Sequence, residues 1–359
     1  MQQKVNIHKK RNYSVDMLKV LSMYFVMGLH ILLKGGVLEG GNFNNYKIET
    51  AGLLELLMIV AVNVFAMVSG YLGVYSKFKL RRFMELWFQV LFYTIVCLVC
   101  YIIFTHKLPN VGDILKSIFP LMEQHYWYFS SYAIVYLFSP MINKGLLSLS
   151  KSRLKQVIFF LLLIACIGGN INMKNFGLLG GYSPLWLAIL WVIGGYIRLY
   201  GVGGRKYLHL GMYLLFVILN LALSNVISIL KYYLTGNPQK FNLSLVIRYN
   251  NPLVVIASIA LVVFILKIRI NNKGVQKVLL FASPLSFGAY LLQTNIFVYQ
   301  TLNYPWLLKQ NIIVMFFLIL LLALLWFVAG IITDYIIKII FSKIGIDSLL
   351  KLIANRYDR

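Results

Sequence analysis

Charged side chains are scarce in this 359-residue chain, and acidic ones are the scarcest. Asp and Glu number 10 against 34 Lys and Arg, and charged residues make up 12% of the sequence where hydrophobic residues make up 60%. No hydrophilic stretch is longer than roughly twenty residues. These shortages exclude a soluble globular protein. We expect residues 1–359 to form a single membrane domain without an appended soluble catalytic domain.

Cysteine is also rare, and the three cysteines all lie in apolar runs. They are Cys97, Cys100 and Cys166. A zinc site needs further ligands, and none stands near the closely spaced Cys97 and Cys100. We therefore expect the cysteines to serve packing, and we expect no metal site.

Long apolar runs, in contrast, recur along the whole chain, and the mean hydropathy is +0.79. Most are about 17 to 25 residues long, the length that an α-helix needs to cross the hydrocarbon core of a bilayer. The pattern predicts an all-α, polytopic transmembrane bundle of about ten helices. The ten runs are residues 17–33, 52–75, 83–104, 126–142, 157–171, 182–200, 209–230, 252–267, 278–302 and 312–332.

Basic residues test this helix count independently, because cytoplasmic loops of membrane proteins are enriched in Lys and Arg. With the N-terminus in the cytoplasm, ten helices place 24 Lys and Arg inside and nine outside, and Lys19 stays in the membrane. The count predicts a multi-pass protein of the cell membrane with cytoplasmic segments 1–16 and 334–359. The net charge of +24 then reflects topology and anionic lipids, not nucleic-acid binding.

Ionisable groups inside a membrane are costly, and the first run carries two of them. Lys19 and His30 lie on one helical stripe, about 16 Å apart along the axis. The predicted topology places His30 near the outer mouth of the bundle, at the depth of Glu55 and His125. It also predicts a cationic cluster at the inner mouth, formed by Lys19, Lys79, Arg81 and Arg82. This arrangement suits a phosphate-binding entrance inside and an acid/base group outside.

Each of these residues also has an ordinary structural explanation. Lys19 can extend its amine to the inner interface with Asp16 as its i,i+3 partner. A single intramembrane histidine can serve as a structural hydrogen-bonding group, and Glu55 can be solvated by headgroups. Arg81 and Arg82 can be positive-inside anchors. Taken singly, none of these residues decides a function.

Several segments, in order along the chain, resemble those of a known family. The first helix carries Lys19 and His30 with ten residues between them, and further segments follow. These are FAMVSGY (65–71), KFKLRRF (77–83), HYWYFSSY (125–132), YLFSPMIN (136–143) and SFGAYLLQ (286–293). Together they resemble the acyltransferase 3 family of integral membrane acyltransferases, which implies ten helices with both termini inside.

The chain departs from the family pattern at three places. Lys79 stands where relatives often have the first arginine of Arg-x-x-Arg, which keeps the charge but loses a planar fork of donors. Tyr132 stands where many relatives have a glutamate, and Gln293 replaces a late histidine. These changes point to the branch that modifies cell-envelope polysaccharides, and they leave His30 as the main candidate base.

The resemblance implies an O-acyltransferase that takes an acyl group from cytoplasmic acetyl-CoA and places it on a sugar hydroxyl. The CoA phosphates would meet the cationic cluster, and His30 would act as general base or acyl carrier, with Glu55 or a hydroxyl fixing its tautomer. The expected partners are the lipid bilayer, a polysaccharide or lipid-linked sugar, and proteins of polysaccharide synthesis. The sugar would lie among His125, Trp127, Tyr128 and Tyr132.

Two functions without chemistry also fit these features. Ten helices, aromatic side chains near the outer mouth and an intramembrane histidine would suit a glycan transporter, although no internal repeat of the kind common in transporters is present. A scaffold of an envelope-assembly complex is the other, and it predicts that His30 is dispensable. The sequence leaves open the acceptor glycan, the acyl group and the oligomeric state.

Overall fold

The fold is helical throughout the residues that the computed structural model describes, which are 11–38, 45–121, 126–172, 175–236, 246–346, 348, 350 and 352. The first eight helices are α1 (Tyr13–Leu32), α2 (Tyr46–Met58), α3 (Ala61–Gly73), α4 (Leu80–Thr105), α5 (Val111–Ile118), α6 (Trp127–Ser148), α7 (Lys151–Leu163) and α8 (Gly169–Ile171). The others are α9 (Pro184–Tyr200), α10 (Lys206–Thr235), α11 (Pro252–Leu266), α12 (Lys273–Ala282), α13 (Ser286–Gln293), α14 (Ile296–Tyr299) and α15 (Ile312–Lys343).

The prediction of an all-α polytopic membrane protein is confirmed. Among the described residues, six helical stretches are long and apolar enough to cross a bilayer, and α12 with α13 makes a seventh if this bent pair is one span. Each of the ten apolar runs coincides with helix, and α6, α9 and α11 account for the remaining three. The number of crossings, and the placement of both termini inside, stay predictions.

The ninth apolar run, predicted as one helix over 278–302, is divided. α12 ends at Ala282 and α13 begins at Ser286 with a bend of 45° between them. Pro284 lies at the bend, and proline removes the backbone donor that an unbroken helix would use there. A second break follows Gln293, before the short α14. These breaks matter because the late family-like segment 286–293 is the helix between them.

The helix α1 lies in the interior, packed against α2, α3, α11, α12, α13 and α15. Its start is fixed by Asn12, whose side chain accepts a hydrogen bond from the backbone N–H of Ser14. Asp16, buried in the first turn, pairs with Arg11 at 2.9 Å and accepts a hydrogen bond from the Ser283 hydroxyl. The central position of α1 carries Lys19 and His30 into the protein interior.

Helices α3 and α9 approach each other so closely that only glycine fits at the contact. A Cβ atom at Gly70 would overlap the backbone of Trp191, and one at Gly194 would overlap the backbone of Met67. Asn143 of α6 ties the pair together: its amide donates to the Gly73 carbonyl at 2.9 Å and accepts from the Trp191 indole at 3.0 Å. The family-like segments 65–71 and 136–143 therefore meet at one packed junction.

Candidate active site

A cavity of about 620 Å³ lies beside the first half of α1. We call it the cationic cavity, because four basic side chains line it: Lys19, Lys77, Arg82 and Lys338. Hydroxyl and aromatic groups from α3, α6 and α13 complete the walls, among them Ser69, Tyr132, Tyr136, Ser286 and Phe287. Several cations around one cavity suit a ligand with several phosphate charges.

Two members of the predicted cationic cluster line this cavity and two do not. Lys19 and Arg82 line it, and Asp16, the partner considered for Lys19, is paired with Arg11 instead. Arg81 pairs with Glu85 at 2.6 Å, one helical turn further along α4. Lys79 caps the start of α4, and its backbone N–H and carbonyl both bond to the Tyr136 hydroxyl.

Lys338 is a lining residue that the sequence reasoning did not single out. It lies on α15, beyond residue 332 where the last apolar run was expected to end. Its amine pairs with Asp334 at 3.1 Å and donates to the Pro284 carbonyl at 2.7 Å. Asp334 is fully buried and also accepts from the Gln89 amide and the Tyr93 hydroxyl. The sequence signal that could have identified Lys338 is Asp334, a carboxylate on the helix α15, which continues past residue 332.

A second cavity, of about 220 Å³, lies at the other end of α1. We call it the histidine cavity, because His30 lines it together with Glu55. Aliphatic side chains and seven aromatic ones form the remaining wall, and the aromatic residues are Phe65, Trp127, Tyr128, Tyr182, Tyr249, Tyr290 and Tyr299. No Lys or Arg of the described residues lines this cavity, in contrast to the cationic cavity.

The ring of His30 is held in one orientation by Gln293. The side-chain oxygen of Gln293 lies 2.9 Å from His30 Nδ1, and the Gln293 amide donates to the Met27 carbonyl at 3.4 Å. Because an amide oxygen only accepts, Nδ1 carries the proton and Nε2 has a free lone pair. Tyr299 contacts the imidazole edge to face, with ring centroids 5.3 Å apart. When the imidazole is neutral, this arrangement leaves Nε2 as the nitrogen that can accept a proton.

Gln293 thus occupies the orienting role for which Glu55 was considered. In the sequence, Gln293 stands out only as a departure from the family pattern, and its contact with His30 joins residues 263 positions apart in the chain. Glu55 lies on α2 and lines the same cavity as His30, as its predicted depth implies. Its side chain is fully buried, and neither carboxyl oxygen has a hydrogen-bond partner among the described residues.

The aromatic residues predicted to hold a sugar lie at different levels. Trp127 lines the histidine cavity, Tyr132 lines the cationic cavity, and Tyr128 lines both. The rings of Tyr128, Tyr132 and Tyr136 stack one turn apart along α6, with successive centroids 6.4 and 6.1 Å apart. His125 lies outside the described residues.

The two cavities share a wall made by Phe65 and Tyr128, which line both. Their rings pack edge to face with centroids 5.7 Å apart, and Tyr128 is only 5% exposed. Phe65 and Tyr128 therefore stand between the cavity that holds the cations, near one end of α1, and the cavity that holds the imidazole, near the other end. Among the described residues, no group of three or more His, Cys, Asp or Glu side chains is placed to hold a metal ion.

Comparison with known proteins identifies the family of the chain. The acyltransferase 3 family model, described as an acyltransferase domain, matches residues 12–333. No curated protein and no solved structure matches the chain. The matched range contains His30, Gln293, Glu55 and the wall between the cavities, with Lys338 just beyond it. The chain is a multi-pass membrane protein that belongs to the acyltransferase 3 family.

Proposed function

We propose that this protein transfers an acetyl group from acetyl-CoA to a hydroxyl of a cell-envelope or exported polysaccharide. The observation that carries the proposal is the pair of adjoining cavities on one helix, one lined by cations and the other by an oriented imidazole. Membership of an acyltransferase family supplies the reaction type. The identities of the acetyl donor and of the sugar acceptor go beyond the family assignment and are our proposal.

The donor is assigned to the cationic cavity. CoA carries a diphosphate and a ribose phosphate, and charge-assisted hydrogen bonds from several cations bind such groups strongly. Lys19, Lys77 and Arg82 line the cavity together with Lys338. Lys77, Arg82 and Lys338 belong to the side that the positive-inside count assigns to the cytoplasm, where acetyl-CoA is made available, and Lys19 lies in the membrane near that side.

The pantetheine arm bridges the two cavities in this proposal. Lys19 and His30 are eleven residues apart on α1, which is about 16 Å of helix rise and comparable with the reach of pantetheine. To deliver its thioester, the arm passes between Phe65 and Tyr128, which line both cavities. The acyl group then enters the histidine cavity from one side, and the sugar enters it from the other.

His30 removes the proton from the acceptor. Nε2 takes the hydroxyl proton while the sugar oxygen bonds to the thioester carbonyl carbon, and the carbon–sulfur bond then breaks. The CoA thiolate recovers the proton from the imidazolium, so charges and atoms balance. A relay is the alternative: Nε2 first takes the acetyl group and CoA leaves as the thiolate. The sugar hydroxyl then attacks the acetyl-imidazolium, the bond from the acetyl carbon to Nε2 breaks, and the hydroxyl proton passes through the released Nε2 to the thiolate.

Acetyl transfer by purified protein in lipid nanodiscs tests the proposal. We expect labelled acetyl groups from acetyl-CoA to appear on envelope polysaccharide, and His30→Ala to lower kcat about 10³-fold because general base catalysis is lost. A matched control is His106→Asn, since His106 is exposed and has a positive φ that asparagine tolerates. Full activity of a correctly folded His30→Ala protein would remove the catalytic assignment.

The same assay separates the proposal from transport or scaffolding. A transporter or a scaffold would leave acetyl-CoA unconsumed under all conditions. Comparing by mass the envelope glycans of cells with and without the gene then identifies the group and the sugar. A mass difference of one acetyl group on a polysaccharide fragment is the expected result, and unchanged glycans would contradict it.

A further inference from the structure

Glu55 is the most unusual side chain of the histidine cavity that the reaction above leaves unused. It is fully buried, it lines the cavity, and both of its carboxyl oxygens lack a hydrogen-bond partner among the described residues. Buried polar groups are nearly always paired, because an unpaired one keeps its full desolvation cost. A carboxyl group left open toward a cavity indicates that a ligand supplies the missing hydrogen bonds.

We propose that Glu55, Trp127, Tyr182 and Tyr249 form the acceptor subsite and that it takes an uncharged sugar ring. The proposal rests on the proposed function for the identity of the reaction. The subsite proposal goes beyond the proposed function by naming the residues that recognise the acceptor and the charge class of the sugar. Tyr182 and Tyr249 are residues that the sequence reasoning did not select.

Three aromatic rings form a continuous wall beside Glu55. Trp127 lies 4.6 Å from Tyr182 and 5.9 Å from Tyr249 between ring centroids, and the Trp127 and Tyr249 rings are nearly parallel at 22°. Tyr182 and Tyr249 are 4.9 Å apart. Glu55 is near enough to interact electrostatically with both tyrosines. Aromatic faces carry negative charge density, which suits the C–H groups on the face of a sugar ring.

The wall is held rigidly, as a binding site requires. Tyr249 donates its backbone N–H to the Gly180 carbonyl at 3.0 Å, and its own carbonyl accepts from the Asn63 amide at 2.8 Å. Gly181 has φ +99, and a Cβ atom there would crowd the side chain of Tyr249. Tyr182 follows directly and is 44% exposed, so it lies at the open rim of the cavity.

The charges of the cavity favour a neutral ligand. No Lys or Arg among the described lining residues is present to neutralise a carboxylate or phosphate. An anionic group in this cavity would lose its hydration without a cation to replace it, which is costly in a site of low dielectric constant. Sugar hydroxyls, in contrast, can donate to an ionised carboxylate or accept from a protonated one. Lys34 packs over Tyr299 at 5.7 Å but does not line the cavity.

Ligand-observed NMR on the full protein in nanodiscs tests the subsite without using activity. The probes are the methyl glycosides of glucose, galactose and N-acetylglucosamine, with methyl glucuronide as the anionic counterpart. We expect at least one neutral glycoside to bind, and the glucuronide to bind more weakly than methyl glucoside by about tenfold. Equal or tighter binding of the glucuronide overturns the charge assignment, and no binding of any neutral glycoside overturns the subsite.

Two variants connect the binding to these residues. Glu55→Gln keeps the shape of the side chain, and we expect it to weaken binding of the neutral glycoside about tenfold, because the amide cannot reproduce the hydrogen bonds of the carboxyl group. Tyr182→Ala, at the exposed rim, is expected to weaken it by about fivefold with little risk to folding. Glu49→Gln on the same helix is the matched control, because Glu49 does not line the cavity. Unchanged binding in both Glu55→Gln and Tyr182→Ala overturns the proposal.

Acetyl-CoA affinity, measured on the same samples, separates this proposal from the function on which it rests. The subsite predicts that Glu55→Gln and Tyr182→Ala change acetyl-CoA affinity by less than about twofold, because the CoA phosphates bind elsewhere. Glycoside binding by a wild-type protein that does not bind acetyl-CoA would contradict the acetyltransferase function and leave the sugar subsite in place. A loss of acetyl-CoA affinity in Glu55→Gln would contradict the subsite.

Discussion

The two cavities differ in the one property that separates their proposed ligands, which is charge. The cationic cavity is the larger, about 620 Å³, and four basic side chains line it. The histidine cavity is about 220 Å³ and is lined by aromatic rings, an imidazole and a buried carboxyl group. A multiply charged thioester and an uncharged sugar would thus each meet the surroundings that suit them. In the proposed function, this difference would sort the two substrates by charge before they meet.

The two cavities also lie along a single helix, α1, and share one wall. Lys19 and His30 are both on α1, so their separation is fixed by helical geometry. Phe65 and Tyr128 line both cavities and stand between them. A charged headgroup can therefore stay on one side of the wall while only a slender, neutral arm passes to the other side.

Apart from the removal of His30 itself, Gln293→Leu is the substitution for which we expect the largest loss of activity. The substitution removes the oxygen that accepts from His30 Nδ1, so the ring loses its fixed tautomer and orientation. We expect kcat to fall about 30-fold, with the acetyl-CoA affinity unchanged. Steady-state kinetics with a folding check by size-exclusion chromatography measures it. An unchanged kcat would show that the hydrogen bond does not prepare His30 for proton transfer.

Arg82→Ala and Arg81→Ala form a matched pair that tests the cationic cavity. Arg82 lines the cavity, whereas Arg81 does not and is paired with Glu85, an acidic residue that also lines the cavity. We expect Arg82→Ala to raise KM for acetyl-CoA about tenfold and Arg81→Ala to change it less than twofold. Equal effects of the two substitutions would contradict the assignment of the donor to this cavity.

Phe65→Ala tests the wall and has the smallest expected effect. Removing one of the two separating rings widens the passage into the histidine cavity. We expect the ratio of butyryl transfer to acetyl transfer to rise about fivefold, because a wider passage discriminates less against additional methylene groups. Competition between the two acyl-CoA donors in one reaction gives this ratio. A lower ratio, or no change in it, would show that acyl size is selected elsewhere.

Helix content and the position of α1 residues were predictable, because they depend on local patterns. Apolar runs define helices, and eleven residues of helix have a fixed length, so the Lys19–His30 spacing needed no tertiary information. The bend near Pro284 had a local signal as well. The prediction of one helix over 278–302 missed it because apolarity alone was weighed.

Contacts between segments that are distant in the chain could not be predicted from the sequence. Nothing local brings Gln293 to His30, since they meet only when α13 packs against α1. Whether Arg81 or Arg82 faces the cavity depends on the rotation of α4, which begins after Lys79. Tyr128 and Tyr132 were assigned to one sugar site from the sequence, although they are one turn apart on α6, and Tyr128 lines both cavities whereas Tyr132 lines the cationic cavity. Which of the two residues lines which cavity depends on how the helices pack, and the sequence alone does not show this.

A cryo-EM structure of the protein with acetyl-CoA in nanodiscs tests the central claim most directly. The account predicts that the CoA phosphates contact Lys19 and Arg82 in the cationic cavity, and that the arm passes between Phe65 and Tyr128. The thioester carbonyl carbon would then lie within about 4 Å of His30 Nε2, or the acetyl group would already be on that nitrogen. Acetyl-CoA bound with its thioester outside the histidine cavity, or bound at another surface, would contradict the account.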